Sequence, residues 1–225
     1  MDYYGNSMLR YKKTLDAVPL KIVKDRNAKV LDIGGYSVFE EMFKNRYQLA
    51  EVQTFQTDDL NRDQLPFRDN SFDLIILGEV IEHLYDPDQV LRECYRILRS
   101  GGALLITTPN LLSWYNRILM VFGYYPMNLD ISCEVRKTGL RDILNKRPLF
   151  DVNLNPLYDV HIRLYTFKTL EILLAEHRFS NFERYSYSVD RSAHFKIRLF
   201  IRLINCICEK IKFLAQGIII IGWKI

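Results

Sequence analysis

Lys29-Val30-Leu31-Asp32-Ile33-Gly34-Gly35-Tyr36-Ser37 is the segment from which the architecture of this chain can be read. An apolar run that ends in an acid and two glycines reads as a buried strand turning sharply into a helix. In an open α/β sheet, ligands bind beyond the carboxyl ends of the strands, and a glycine turn there lets the backbone approach a nucleotide closely. A cofactor is therefore expected above this turn.

Upstream, residues 7–24 carry Met8, Leu9, Leu15, Val18, Leu20, Ile22 and Val23 among lysines, the pattern of a surface helix leading into the sheet. Asp25-Arg26-Asn27 is the turn. Downstream, residues 38–43 predict a helix whose N-terminal amides face the strand end. Residues 51–56 read as a second strand, and Leu65-Pro66-Phe67-Arg68-Asp69-Asn70-Ser71 as a turn. Residues 72–77 are almost purely apolar, as a parallel strand buried on both faces must be. Gly78-Glu79-Val80-Ile81-Glu82-His83-Leu84 closes that strand.

Asp86-Pro87-Asp88-Gln89 is a helix start, with an acid at the cap and proline in the first turn. Val90, Leu91, Cys94, Tyr95, Ile97 and Leu98 continue at helical spacing to a stop at Ser100-Gly101-Gly102. A further buried strand follows over 103–107. Alternating strands and helices from 30 to 108 argue for a parallel sheet with right-handed crossovers.

Residues 109–160 are less regular. A helix is expected over 112–122, and residues 124–158 have the character of a lid or substrate-binding loop. Thr166 caps a helix over 167–177, and residues 181–189 read as a strand. From Phe195 the period is sharp, with Ile197, Phe200, Ile201, Ile204, Ile207, Cys208, Ile211 and Leu214 on one face. Gly217 to Lys224 form a last buried strand.

The 225 residues, 48% hydrophobic and 26% charged, suit one soluble globular domain and exclude wholesale disorder. The net charge of +4 is uneven: residues 191–225 hold seven Lys or Arg and one acid, which leaves −2 for the rest. Cys94, Cys133, Cys206 and Cys208 make neither CxxC pairs nor a disulfide framework, so no metal is expected and a reducing, cytoplasmic setting is. Residues 1–27 lack the apolar core of a signal peptide, and the apolar run 213–223 is too short to cross a bilayer.

Val30-Leu31-Asp32-Ile33-Gly34, Asp59-Leu60, the turn at 65–73, Glu79-Val80-Ile81-Glu82-His83-Leu84 and Arg96-Ile97-Leu98-Arg99-Ser100-Gly101-Gly102 follow one another in order and at the right spacing. Together they resemble the successive motifs of class I S-adenosylmethionine-dependent methyltransferases, over roughly residues 28–110. Thr107-Thr108-Pro109-Asn110-Leu111, Asn116-Arg117, Gly123 with Pro126, and His161-Ile162-Arg163-Leu164-Tyr165-Thr166 are similar to bacterial members often found among cell-surface polysaccharide genes.

This resemblance implies a doubly wound, Rossmann-like sheet of seven strands, mostly parallel, with the last strand antiparallel and helices on both faces. The closing strand would pair with 181–189, and the basic helix would be inserted between them. One domain would span 1–225, comprising an N-terminal helical segment (1–27), a cofactor-binding core (28–110), a lid (111–165) and a C-terminal part (166–225). The cofactor implied is S-adenosylmethionine. Asp32 would orient the glycine loop and the amino-acid end of the cofactor, and Gly34 and Gly35 would leave room for it. Asp58 or Asp59, with Leu60, would meet the ribose or adenine, and Gly78 and Glu79 would line the pocket.

Methyl transfer needs an in-line nucleophile and, for a hydroxyl acceptor, a base. His161 is the first choice for that base, with a structural role equally open, while His83 reads as fixing its turn. The acceptor expected is a small molecule or glycan, methylated at oxygen. Tyr36 and Val38 stand where the family has its second and third glycines, so the competing reading is a non-catalytic binding or scaffold module. A nicotinamide enzyme fares poorly, because the turn lacks GxGxxG. The basic helix either covers the hairpin or lies, over 195–215, on the anionic inner membrane surface. Nucleic acid is not an expected partner, since bulky aliphatics rather than stacking aromatics separate the basic residues.

Overall fold

Buried aliphatic runs set the sheet. β1 (Lys29–Ile33), β2 (Glu51–Phe55), β3 (Phe72–Gly78) and β4 (Leu98–Pro109) pair in parallel. β6 (Gly217–Lys224) runs antiparallel to both β4 and β5 (Phe179–Tyr187). The order is β2-β1-β3-β4-β6-β5. The structure is a computed structural model that describes residues 3–34, 37–48, 51–56, 60, 64–130, 160–188 and 195–225.

Side chains alternate across each strand, so both faces of the central strands need cover. Leu31, Ile33, Ile75, Leu77, Leu104, Ile106, Ile218 and Ile220 share a core with α4 (Pro87–Ile97) and α6 (Phe167–Glu176). Val30, Leu74, Ile76, Ala103, Leu105, Ile219 and Ile221 share the other with α1 (Tyr3–Ala17), α2 (Leu20–Val23) and α3 (Ser37–Tyr47). α5 (Trp114–Val121) follows β4, and α7 (Phe195–Lys210) lies between β5 and β6. The β5–β6 hairpin and its helical insertion thus follow the sequence reading.

Among the described residues the sheet has six strands, where the resemblance implied seven, and is otherwise the mostly parallel Rossmann-like sheet expected. The connection from β2 to β3 is short, and its described residues, 60 and 64–71, form turns and bends rather than an edge strand. The N-terminal helix divides at Pro19, which has no amide to donate. Its Leu15 and Ala17 face the core while Met8, Leu9, Lys12 and Asp16 stay exposed, as in a surface helix packed on the sheet. α4 ends at Ile97; Leu98 is already extended and pairs with Phe72, and a bulge before Leu74 is accommodated by Gly101 at φ 77°.

The caps form as expected. Asp86 Oδ1 accepts from the Gln89 amide at 3.0 Å, and Thr166 and Thr169 make a reciprocal capping box. α7 departs from the single buried stripe. Cys208 is buried, but Ile207 and Ile211 are exposed, and the buried neighbour is polar Asn205. Its Oδ1 accepts from Trp114 Nε1 at 3.0 Å and Gln216 Nε2 at 3.2 Å.

Candidate functional site

The turn after β1 is built on Gly34, which adopts φ 76°. A Cβ there would lie 2.5 Å from Val80 Cγ2, so conformation and space both require glycine. Its amide donates to the Phe55 carbonyl at 2.9 Å, tying the turn to the end of β2. Beneath it Asp32 is 1% exposed, and its Oδ2 meets no hydrogen-bond partner among the described residues. Burial, reinforced by nearby Glu40 and opposed by Arg10, pushes the Asp32 carboxyl up to about 7.

Glu79, at the end of β3, holds the left-handed conformation at φ 58°. Such a backbone costs a non-glycine residue about 1–2 kcal/mol and persists where surrounding contacts impose it. Here its amide donates to the Thr107 carbonyl at 2.9 Å, and Oε1 accepts from Thr107 Oγ1 at 3.0 Å and Tyr187 OH at 2.8 Å. Oε2 pairs with Arg10 of α1 at 3.3 Å. Burial works hardest against the Arg10 charge, but Glu79, Tyr187 and Tyr11 together outweigh it and push the guanidinium pKa above its ordinary value. Arg10, Tyr11, Asp32, Gly34, Gly78 and Thr107 line a cavity of about 20 Å³, room for roughly one water.

A second cluster lies on the same loop. Glu82 is fully buried in the 3₁₀ turn Ile81–His83. Its Oε2 accepts from Thr108 Oγ1 at 3.0 Å, while Oε1 has no partner among the described residues. Burial, then repulsion from Glu79, raises its carboxyl well above the ordinary range. The rings of His83 and His161 meet edge to face at 4.7 Å. His83 Nδ1 bonds the Val160 carbonyl at 2.9 Å, and His161 Nδ1 the Asn128 carbonyl at 2.8 Å. His161 is further pinned by its amide, which donates to Asp130 Oδ2 at 2.9 Å.

Asp32, Gly34 and Gly78 thus line one cavity, Glu79 holds its lining residues Arg10 and Thr107 from the side, and His161 sits beside the loop that carries Glu79. Leu60 packs, partly buried, against the core that holds α4 and α6. Gly35, Tyr36, Asp58 and Asp59 lie outside the described residues, as does most of the expected lid. The later motif residues come together as well. Asn110 Nδ2 donates to the Ala215 carbonyl at 2.8 Å, Asn116 Nδ2 donates to the Asn110 carbonyl at 3.2 Å, and the Met127 amide donates to Asn116 Oδ1 at 2.9 Å. Sequence reasoning missed Arg10, Thr107 and Tyr187. Nothing in the local sequence around Arg10 marks it, because its partner Glu79 lies 69 residues away.

Residues 18–106 match a family model described as methyltransferase domain. A probable S-adenosylmethionine-dependent methyltransferase of Mycobacterium tuberculosis is 38% identical over 71 residues, which are 32% of this chain and 24% of that protein. The ubiquinone/menaquinone biosynthesis C-methyltransferase UbiE of Pseudoalteromonas translucida is 31% identical over 102 residues, 45% of this chain and 38% of that protein. The chain spans less than half the length of either relative. Among solved structures, an S-adenosylmethionine-dependent methyltransferase of Thermotoga maritima superposes with a TM-score of 0.57 at 15% identity, covering 99% of this chain and 93% of that one. The fold is the Rossmann-like methyltransferase fold.

Proposed function

We propose that the chain is a class I methyltransferase that uses S-adenosylmethionine to methylate an oxygen of a small molecule or glycan. The observation that carries this reading is Asp32, a buried carboxyl whose Oδ2 has no partner among the described residues, directly beneath a turn that favours glycine by conformation and by space. These residues suit a cofactor that brings an ammonium group to the strand end. Asp32, Gly34, Gly35, Gly78 and Glu79 would hold it, with Asp58 or Asp59 and Leu60 toward its nucleoside. The cofactor supplies an electrophilic methyl group when bound.

Around that group the chain's own residues would orient and exclude water. Glu79, locked by three partners, keeps its loop from collapsing onto the strand ends. His161 Nδ1 is turned to a carbonyl, which can only accept, so the neutral ring keeps its lone pair on Nε2. That nitrogen is the candidate to take the proton of an acceptor hydroxyl. The glycan class rests on the likeness of the Thr107–Asn110, Asn116 and His161–Thr166 segments to members found among polysaccharide genes.

The competing reading, a non-catalytic module, is favoured by the 20 Å³ cavity, into which α1 brings Arg10 and Tyr11. Calorimetric titration with S-adenosylmethionine and S-adenosylhomocysteine separates the two. Binding at micromolar to sub-millimolar ligand, lost in a folded Asp32→Ala variant, is expected. No heat at millimolar ligand would sink the enzyme.

Membrane contact through 195–215 is part of the same proposal. Leu203, Ile207, Ile211 and Phe213 are exposed in a segment with a strong excess of positive charge, which suits an anionic lipid surface. Among the described residues no helix is long and apolar enough to cross a membrane. Co-sedimentation with phosphatidylserine vesicles, reduced by salt and by Leu203→Glu, is the expected result; equal recovery with neutral vesicles would refute a charge-driven contact.

A further inference from the structure

We propose that Glu82, His83 and His161 form a binding site for one divalent transition-metal ion. One ligand-capable atom from each, a carboxylate oxygen and two ring nitrogens, lies within 4.8 Å of the others. A carboxylate and two imidazoles are the donor set of open transition-metal sites, which leave room for a water or substrate oxygen.

Two independent features point to an ion rather than to chance proximity. The first is Glu82 Oε1. A fully buried carboxylate oxygen without a donor is a costly thing to keep, and a cation beside it removes that cost. The second is the way the two rings are held. Metal-binding histidines commonly give their other nitrogen to a carbonyl or carboxylate, which fixes the tautomer and aims the lone pair. His83 and His161 each do this through Nδ1, to the carbonyls of Val160 and Asn128. Thr108 does the equivalent for Glu82, holding Oε2 at 3.0 Å.

The three ligands are also braced against one another by the main chain. The Ile162 amide donates to the Glu82 carbonyl at 3.0 Å, so the turn with Glu82 and His83 is clamped to the segment bearing His161. With two nitrogen donors the site favours zinc, cobalt or manganese over magnesium, which prefers oxygen alone. No cysteine takes part, which is why a reading based on cysteine spacing found no metal.

The position assigns a role. Glu79, whose charge is felt by Glu82, stands three residues away and pairs with Arg10, which lines the cavity proposed for the cofactor. An ion here would hold an acceptor oxygen next to the methyl donor and ease loss of its proton, with His161 a ligand rather than the base itself. This role rests on the methyltransferase reading; the binding of the ion does not.

The test uses the full chain, stripped with chelator and freed of any histidine tag. Titration with Zn²⁺ by calorimetry, and with Co²⁺ by visible absorption, should give one equivalent per chain. Affinity should fall by more than about 100-fold in His83→Ala and in His161→Ala, since losing a direct ligand costs at least what losing an outer partner does. His177→Ala, whose ring bonds Asp88 on α4, should bind as the parent does. Circular dichroism and thermal midpoint establish that both variants fold, and Glu82→Gln gives a third, nearly isosteric check. Absence of a stoichiometric ion, retention of binding in folded His83→Ala and His161→Ala, or preference for Mg²⁺ over Zn²⁺ would overturn the site. Because these titrations contain no S-adenosylmethionine, their outcome is separate from that of the cofactor titration.

Discussion

At the scale of single residues, Asp32 decides most. An acid at the end of a buried strand was legible in the sequence, but its electrostatic state was not, because that depends on what surrounds it. With the folded carboxyl near 7 and the unfolded one near 3.8, the folded protein holds a proton that the unfolded chain releases between those values. Folding stability therefore falls as pH rises through that window and levels above about 7, by an amount on the order of 4 kcal/mol. Asp32→Asn removes this contribution. In melts from pH 4.5 to 8, the midpoint of Asp32→Asn minus that of the parent should grow with pH up to about 7. A flat difference would show that the carboxyl has a partner or water in solution. Gly34 illustrates the opposite case: its need was visible from the sequence as room for a ligand, and the structure adds a close approach to Val80 that no local pattern reveals.

At the scale of elements, the hairpin of β5 and β6 supports the site from behind. Gly217 pairs with Tyr187, and a Cβ on Gly217 would fall 2.0 Å from the Tyr187 ring. That ring is where it must be for its hydroxyl to reach Glu79. Gly217→Ala should therefore push Tyr187 aside and lower stability by about 1–3 kcal/mol, the usual cost of overfilling a packed position. Denaturant unfolding measures this, and Gly217→Ala built on Tyr187→Ala should show most of the cost removed. Equal costs in both backgrounds would mean the ring is not the obstacle. The caps at Asp86 and Thr166 were readable because a cap acts within one turn. The extent of α7's buried face was not, because Trp114 and Gln216, distant in sequence, decide that Asn205 rather than Ile207 points inward.

At the scale of the molecule, one sheet with a core on each face sets where opening begins. β1, β3, β4 and β6 are flanked by strands on both sides and buried on both faces, whereas β2 is an edge strand with exposed Glu51 and Gln53. Hydrogen exchange should show the central strands opening only with global unfolding, and β2 and α7 opening at lower free energy. Equal protection of β2 and β4 would contradict this order.

The alternation of strands and helices, the apolar character of the central strands, the glycine turn and the helix caps are all written in the order of residues along the chain. Each of these follows from interactions between residues a few positions apart, or from the need of a doubly covered strand for apolar side chains. That Arg10 reaches Glu79, that Thr107 and Tyr187 brace it, and that His83 meets His161 follows from the folded chain alone. Those contacts join segments far apart in the chain. The sheet order and the lengths of the connections, rather than any local preference, bring them to the same strand ends.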